Sequence, residues 1–283
     1  MPITRLLGLL HILTLNVWAL PDLGFHVVCP FRGERIAQIC VELKAQSAKP
    51  DSWDVVLLQE AWLSEDREAL KHCGYPYSVD LDNHAKVIDS GTMILSRYPL
   101  EEAARLTYSA LSGNTQLNLD GEAMARKSAI IARVMRPDTG PYWVSTTHLI
   151  STYDEKNDKY AEARKTQFTS WIDWAQKKAG TEPLVLGGDL NFGPGMPLWD
   201  EIPQLLSTFK QSAGADQACT LCPPNVMHVS NEGKVDHIFG SAQLKPVSGG
   251  IRFDQPTVLA TPGLKLPVSD HFGWETVFQL ESK

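Results

Sequence analysis

Eight polar residues sit where a packed core would not choose them, at the ends of short apolar runs. LTLNVW carries Asn16, VVLLQE ends in Glu60 and VSTTH ends in His148. LVLGGDLN ends in Asp189 and Asn191, KVDHIF carries Asp236, and SDHF carries Asp270 and His271. Singly, each has a plain structural use: Asn16 as a satisfied strand amide, Glu60 as a solvent-facing turn residue, Asp189 and Asn191 as turn formers. Together, carboxylates, an amide and imidazoles at strand ends, with little Lys or Arg beside them, read as a hard-cation site. Oxygen ligands of that kind suit Mg2+, with Mn2+ or Ca2+ as other possibilities. Two histidines near such a cation suit phosphoryl chemistry, in which one group accepts a proton and another steadies developing charge. The SDHF stretch adds a geometric demand. Strand side chains alternate between two faces, so Asp270 and His271 share one pocket only from a turn at a strand mouth. Phe272 to Val277 would then run into the core.

The elements that must hold these residues are short β-branched runs: HILTLNVW, WDVVLLQE, GTMILS, SAIIARVM, YWVSTTHL, PLVLGGDL, KVDHIFG, GGIRF and GWETVF. Their length and composition predict strands. Ile36, Ile39, Cys40 and Leu43 fall on one face of a helix over 33–46, and Tyr160, Phe168, Trp171, Ile172 and Ala175 do the same over 157–178. Prolines and glycines at 193–197, 223–224 and 246–263 predict loops. Many strands with few helices imply two packed sheets with helices outside rather than a βαβ succession.

The chain has 283 residues, 43% apolar and 21% charged, which one large domain spanning 1–283 accommodates. Its 26 basic and 33 acidic residues give a net charge of −7, so stable nucleic-acid binding is not expected. The N-terminal MPITRLLGLLHIL resembles a signal peptide, but it flows into the first strand with no small-residue cleavage site. With no run of eighteen apolar residues, the expectation is a soluble monomer, cytoplasmic or secreted with its signal removed. Five cysteines give no closed framework; Cys219 and Cys222 form a C-x-x-C readable as loop cysteines, a disulfide or redox pair, or a metal pair.

LNVW, LLQE, GDLN, VDHIF and SDHF, in this order, resemble the endonuclease/exonuclease/phosphatase superfamily from about residue 11 to 278. The resemblance implies the DNase I-like fold, an α/β four-layered sandwich of two mostly antiparallel sheets flanked by helices. Within it the chain is most similar to neutral sphingomyelinases, through LNVWALP, LLQEAW, SGTMILSRYPL, THLISTYDEKNDKYAEAR and GEAMARKSAI. Ser128 follows Lys127 where that group usually has Gly, and Ile150 follows THL where many members have His.

The resemblance implies a role for each residue. Glu60 would bind the divalent metal, with Asn16 beside it contacting phosphate or metal-bound water and Asp270 as a second carboxylate. Asp189 and Asn191 would orient water and phosphoryl oxygens, and Asn191, Asn16 and Lys127 would lie against phosphate. His148 would stabilise charge on the phosphate; His271 would be the general base, oriented by Asp236, with His237 on the opposite strand face. The activity implied is Mg2+-dependent hydrolysis of a phospholipid, sphingomyelin to ceramide and phosphocholine. The alternative is a nuclease or phosphomonoesterase of the same superfamily. The implied partner is a phospholipid head group, reached by transient membrane contact. Phe192, Met196, Leu198 and Trp199 in NFGPGMPLW either meet that membrane or begin a helix packed on the core.

Overall fold

The structure, a computed structural model, describes residues 8–22, 29–81, 89–108, 126–151, 158–201, 207–212, 214–215, 218–227, 232–261 and 264–280. One six-stranded sheet contains β1 (Leu9–Asn16), β2 (Val55–Gln59), β3 (Tyr77–Val79), β4 (Met93–Ser96), β11 (Leu244–Arg252) and β14 (Gly273–Leu280), in the order β11-β14-β1-β2-β4-β3. The other contains β5 (Leu100–Thr107), β6 (Ser128–Arg136), β7 (Gly140–His148), β8 (Leu184–Asp189), β9 (Phe209–Lys210) and β10 (Asp236–Ser241), in the order β5-β6-β7-β8-β10-β9. β12 (Val258–Thr261) and β13 (Leu264–Leu266) pair separately. Each large sheet has one parallel pair, β1 with β2 and β7 with β8; its other pairings are antiparallel.

The period-2 alternation of the strands sorts their apolar side chains into layers. Leu13, Leu15, Val56, Leu58, Met93 and Leu95 face outward from the first sheet. There they pack on Ile36, Ile39 and Leu43 of α1 (Arg32–Ser47) and Leu70 of α2 (Ser64–Lys71). Their neighbours Ile12, Val55, Leu57 and Ile94 face inward and meet Ile130, Ala132, Val144, Val185 and Ile238 of the second sheet. On the far side, Ala129, Ile131, Leu184 and Leu186 pack on Phe168, Trp171, Ile172 and Ala175 of α3 (Ala161–Ala179). Central strands buried on both faces read as continuous apolar runs, which is why a polar residue at their ends stands out.

Three expectations need correction. The stretch 246–263 is not one loop: β11 runs through Pro246, Gly249 and Gly250, and β12 follows. β11 is an edge strand with a register shift between Pro246 and Ser248, a place where proline is tolerated. The α3 helix begins at Ala161, while 152–157 lie outside the described residues. The cysteines do form a framework: Cys40 joins Cys73 and ties α1 to the end of α2, Cys219 joins Cys222, and Cys29 stays free and buried. Spacing alone cannot reveal such pairs.

Candidate active site

Strand polarity gathers the polar residues at one edge of the sandwich. Asn16, His148 and Asp189 end β1, β7 and β8, Glu60 directly follows β2, and Asp236 begins β10. Asp270 and His271 sit on the turn before β14, which solves the problem of two adjacent side chains serving one pocket. His148 is in register with Asp189, and Asp189 with Asp236. Thus β1, β2 and β14 of one sheet and β7, β8 and β10 of the other meet across the mouth.

The backbone there is strained. Trp18, Glu60 and Asn191 have φ of 46°, 60° and 55°, left-handed values that non-glycine residues rarely adopt. At Glu60 the bend is backed by Gly91, whose added Cβ would lie 3.2 Å from Glu60 Cα and 3.1 Å from the Trp62 ring. Gly188 precedes Asp189 on β8 and pairs with Thr147 of β7; at φ +147°, an added Cβ would collide with the Thr147 carbonyl oxygen.

Asn16 donates through Nδ2 to Glu60 Oε1 at 2.8 Å and to Asp189 Oδ2 at 2.9 Å, while its Oδ1 accepts the Trp18 N–H at 2.9 Å. The Trp18 N–H fixes the amide orientation. Asn16 therefore clamps two carboxylates and turns its oxygen away from them. Glu60 Oε1 and Asp189 Oδ2 lie 3.8 and 3.6 Å from His148 Nε2. These three residues form one cluster of possible metal donors, and Asp189, Asp236 and His271 form a second. Asp270 falls in neither, but it feels the charge of Glu60.

His271 Nδ1 lies 2.8 Å from Asp236 Oδ2, and its Nε2 faces Asp189 Oδ2 at 3.9 Å. Burial disfavours its imidazolium, but Asp236, Asp270 and Asp189 together outweigh burial and hold its pKa well above the ordinary value. Burial raises Asp189 to about 6 against the opposing field of His271. Asp270 rises to about 7 by burial and the nearby Glu60 charge, opposed by His271 and the Arg35 guanidinium. His148 moves the other way: burial, then Lys127 and His271, hold it well below the ordinary value. Lys127 Nζ lies 2.8 Å from His148 Nε2 and donates to the Leu149 carbonyl at 3.2 Å. His148 is thus held as a neutral polar group with the Lys127 side chain against it.

The remaining expected residues have supporting geometry. Asn191 donates its N–H to Asp189 Oδ1 at 2.9 Å and its Nδ2 to Leu149 O at 2.8 Å, fixing the Asp189 carboxylate. His237 points away from the mouth, as strand alternation requires. Its Nε2 meets the Phe192 and Lys234 carbonyls at 3.1 and 3.0 Å, and its ring stacks on Trp199 at 4.7 Å. The NFGPGMPLW segment forms a short 3-10 helix, Pro197–Glu201, with Phe192 and Leu198 buried and Trp199 packed on the α3 layer. It is core rather than a free apolar loop.

Sequence reasoning missed the groups that hold the site residues. Ser269 donates to Asn16 O at 2.7 Å and accepts the His271 N–H at 3.2 Å, pinning the turn to β1. Fully buried Arg35 of α1 donates to Val17 O, Trp18 O and Val268 O, bracing the strained bend after β1 against the same turn. The SDHF motif held a signal for Ser269. Arg35 carried none, because its partners are backbone atoms distant in sequence.

The donor set fits a divalent cation. Glu60 and Asp189 converge, Asp270 is near enough to feel the Glu60 charge, and among the described residues none of the three has a lysine or arginine ion pair. Burial chiefly, with the Asp236 charge at Asp189 and the Glu60 charge at Asp270 adding to it, raises both pKa values. Glu60 and Asp189 are the residues placed to hold it, with Asp270 adding charge.

The chain is 28% identical over 283 residues to a putative neutral sphingomyelinase of Drosophila melanogaster, covering 93% of the chain and 59% of the relative. It is 25% identical to Homo sapiens sphingomyelin phosphodiesterase 2, covering 90% and 56%. It thus spans little more than half the length of these relatives. Among solved structures, a Staphylococcus aureus beta toxin variant with bound magnesium ions matches with TM-score 0.70 at 19% identity, over 96% of this chain and 99% of the other. D. rerio TDP2 complexed with a single-strand DNA product matches with TM-score 0.70 at 17% identity, over 96% and 99%. The fold is therefore DNase I-like, and among the described residues no helix is long and apolar enough to cross a membrane. A family model for the endonuclease/exonuclease/phosphatase family matches residues 13–271, and the chain belongs to that family.

Proposed function

We propose that this chain is a divalent-cation-dependent phosphodiesterase that hydrolyses sphingomyelin to ceramide and phosphocholine. The observation that carries the reaction class is the His271–Asp236 pair, 2.8 Å apart, with His271 Nε2 directed at the carboxylate cluster. The named sphingomyelin phosphodiesterases among the relatives support the substrate class. The acidic balance supports a lipid head group over nucleic acid.

When bound, a divalent cation would polarise a non-bridging phosphoryl oxygen and steady the leaving oxygen. Glu60 and Asp189 would hold it, and Asn16 keeps these carboxylates together. Lys127 and the neutral His148 face the phosphoryl oxygens, one as a charge and the other as a hydrogen-bonding group. Cation charge beside Asp189 and Asp270 would offset the carboxylate field that raises His271, and the neutral imidazole then takes a proton from water at Nε2 while Asp236 accepts its Nδ1–H. The water oxygen attacks phosphorus in line, the phosphorus–oxygen bond to ceramide breaks, the ceramide oxygen takes a proton from solvent water to leave as a hydroxyl, and His271 returns its proton to solvent. The protein acts as a monomer in transient contact with a membrane surface.

The test is a substrate panel with Mg2+: sphingomyelin and phosphatidylcholine in detergent micelles, plasmid DNA, and inositol phosphates. Phosphocholine release from sphingomyelin that stops in EDTA is the expected result. Plasmid nicking or free-phosphate release without phosphocholine would overturn the substrate assignment and favour a DNA-processing or phosphomonoesterase reading, as the TDP2 likeness allows.

A further inference from the structure

Asp236 and His271 come from different sheets, one beginning β10 and the other preceding β14. Their 2.8 Å contact therefore depends on how two separate backbones are held together. One residue bonds to both. The hydroxyl oxygen of Thr220, itself fully buried, accepts the N–H groups of Val235 at 3.1 Å and Asp236 at 3.2 Å. Its carbonyl accepts the N–H of Phe272, the residue after His271, at 2.7 Å. Its own N–H donates to Gly233 O at 3.1 Å. The Cys219–Cys222 disulfide closes the chain around it. A second strut follows: Asn225 Nδ2 donates to Ser269 O at 2.8 Å, on the other side of His271.

We propose that Thr220 is a positioning residue for the general base, setting the separation and alignment of Asp236 Oδ2 and His271 Nδ1 across the two sheets. This rests on the hydrolytic reading of the site given above. Thr220 does not reach the reacting atoms; it acts through the two backbones. A misplacement of about 1 Å at such a pair can cost up to about 100-fold in rate.

The test uses the full chain with Mg2+ and a soluble nitrophenyl phosphodiester beside sphingomyelin micelles. Thr220→Val keeps the shape and removes the acceptor; Thr220→Ser keeps the acceptor. Thr220→Cys, with a weaker acceptor, is the second variant should valine prevent folding. Thr220→Val is expected to lower kcat by about 10- to 100-fold with KM within about 2-fold, serine to restore most of it, and cysteine to fall between. In a His271→Ala background, Thr220→Val should cause no further loss. Independently of turnover, the far-downfield proton resonance of His271 Nδ1–H should shift or broaden in Thr220→Val and return in Thr220→Ser. Equal losses in both backgrounds, failure of serine to rescue, or an unmoved resonance in a folded variant would overturn the proposal. Should the wild type hydrolyse no phosphodiester, the hydrolytic reading fails, and the resonance alone decides whether Thr220 sets the pair.

Discussion

The two ends of the sandwich treat buried charge in opposite ways. Away from the mouth, Asp54 precedes β2 of the first sheet and Arg136 ends β6 of the second; both side chains are wholly buried. They meet at 3.1 Å, Asp54 also accepts the His11 N–H at 2.8 Å, and Asp138 engages the other guanidinium edge of Arg136 at 2.7 and 2.8 Å. At the mouth, Glu60, Asp189, Asp236 and Asp270 face the same kind of inter-sheet crevice with asparagine and histidine contacts but no arginine or lysine ion pair among the described residues. The fold can bring a guanidinium to a buried carboxylate. Where it leaves the carboxylates to accumulate instead, the donor set fits a cation supplied from outside.

The largest expected effect separates the ends by activity. Glu60→Gln keeps the shape and removes one charge from the cluster, so Mg2+-dependent turnover should be nearly abolished while the metal-free melting temperature holds or rises. Isothermal titration with Mg2+ and a thermal melt in EDTA check both parts; an active, tightly Mg2+-binding variant would break the contrast. Next, His271→Ala should lose about 100- to 10,000-fold in kcat, and Asp236→Asn less, because it spoils orientation while leaving the base in place. His237→Ala, on the face turned to α3, should cost stability rather than catalysis. A His237→Ala loss in kcat equal to that of His271→Ala, measured on folded protein, would reverse the assignment.

At the other end, Arg136→Met strands Asp54 without its buried partner and should cost about 3–5 kcal/mol in denaturant unfolding. Its kcat per folded molecule at low temperature should stay near wild type. The smallest effect concerns pH. Asp189 and Asp270 have folded pKa values raised to about 6 and 7, above their unfolded values. Their favourable contribution is full below about pH 4 and is lost as pH rises through those values. His271, raised as well, contributes in the same sense. In EDTA the melting temperature should therefore fall between about pH 5 and pH 8, less so in Asp270→Asn, and Mg2+ should flatten the slope. A slope unchanged in Asp270→Asn would place the titration elsewhere.

Much of this division was legible in the chain. Asn16, Glu60, His148, Asp189 and Asp236 stand out because each lies at the end of a mostly apolar, buried strand. Asp270 and His271 could be placed on a turn because alternation forbids two neighbours on one face. Illegible were the residues whose work is done through backbone atoms and that lie outside any motif: Arg35 and Thr220 bind carbonyls and N–H groups that any sequence provides. The latch at the far end was equally hidden, since Asp54 and Arg136 lie 82 residues apart. Helix α2 escaped notice because SEDREALK buries Asp66 and Arg67 beside Leu70, so its inner face carries charge.

The left-handed backbone at Trp18, Glu60 and Asn191 has a consequence for directed evolution. Each costs roughly 1–2 kcal/mol that glycine would largely recover. A mutant library sorted for heat resistance alone would therefore be drawn toward Gly at position 60, where the exchange also lifts a charge from a crowded pocket. Variants recovered that way would melt later and hydrolyse nothing. Selection for turnover must accompany selection for temperature, or the scaffold will be improved by erasing what it was bent to hold.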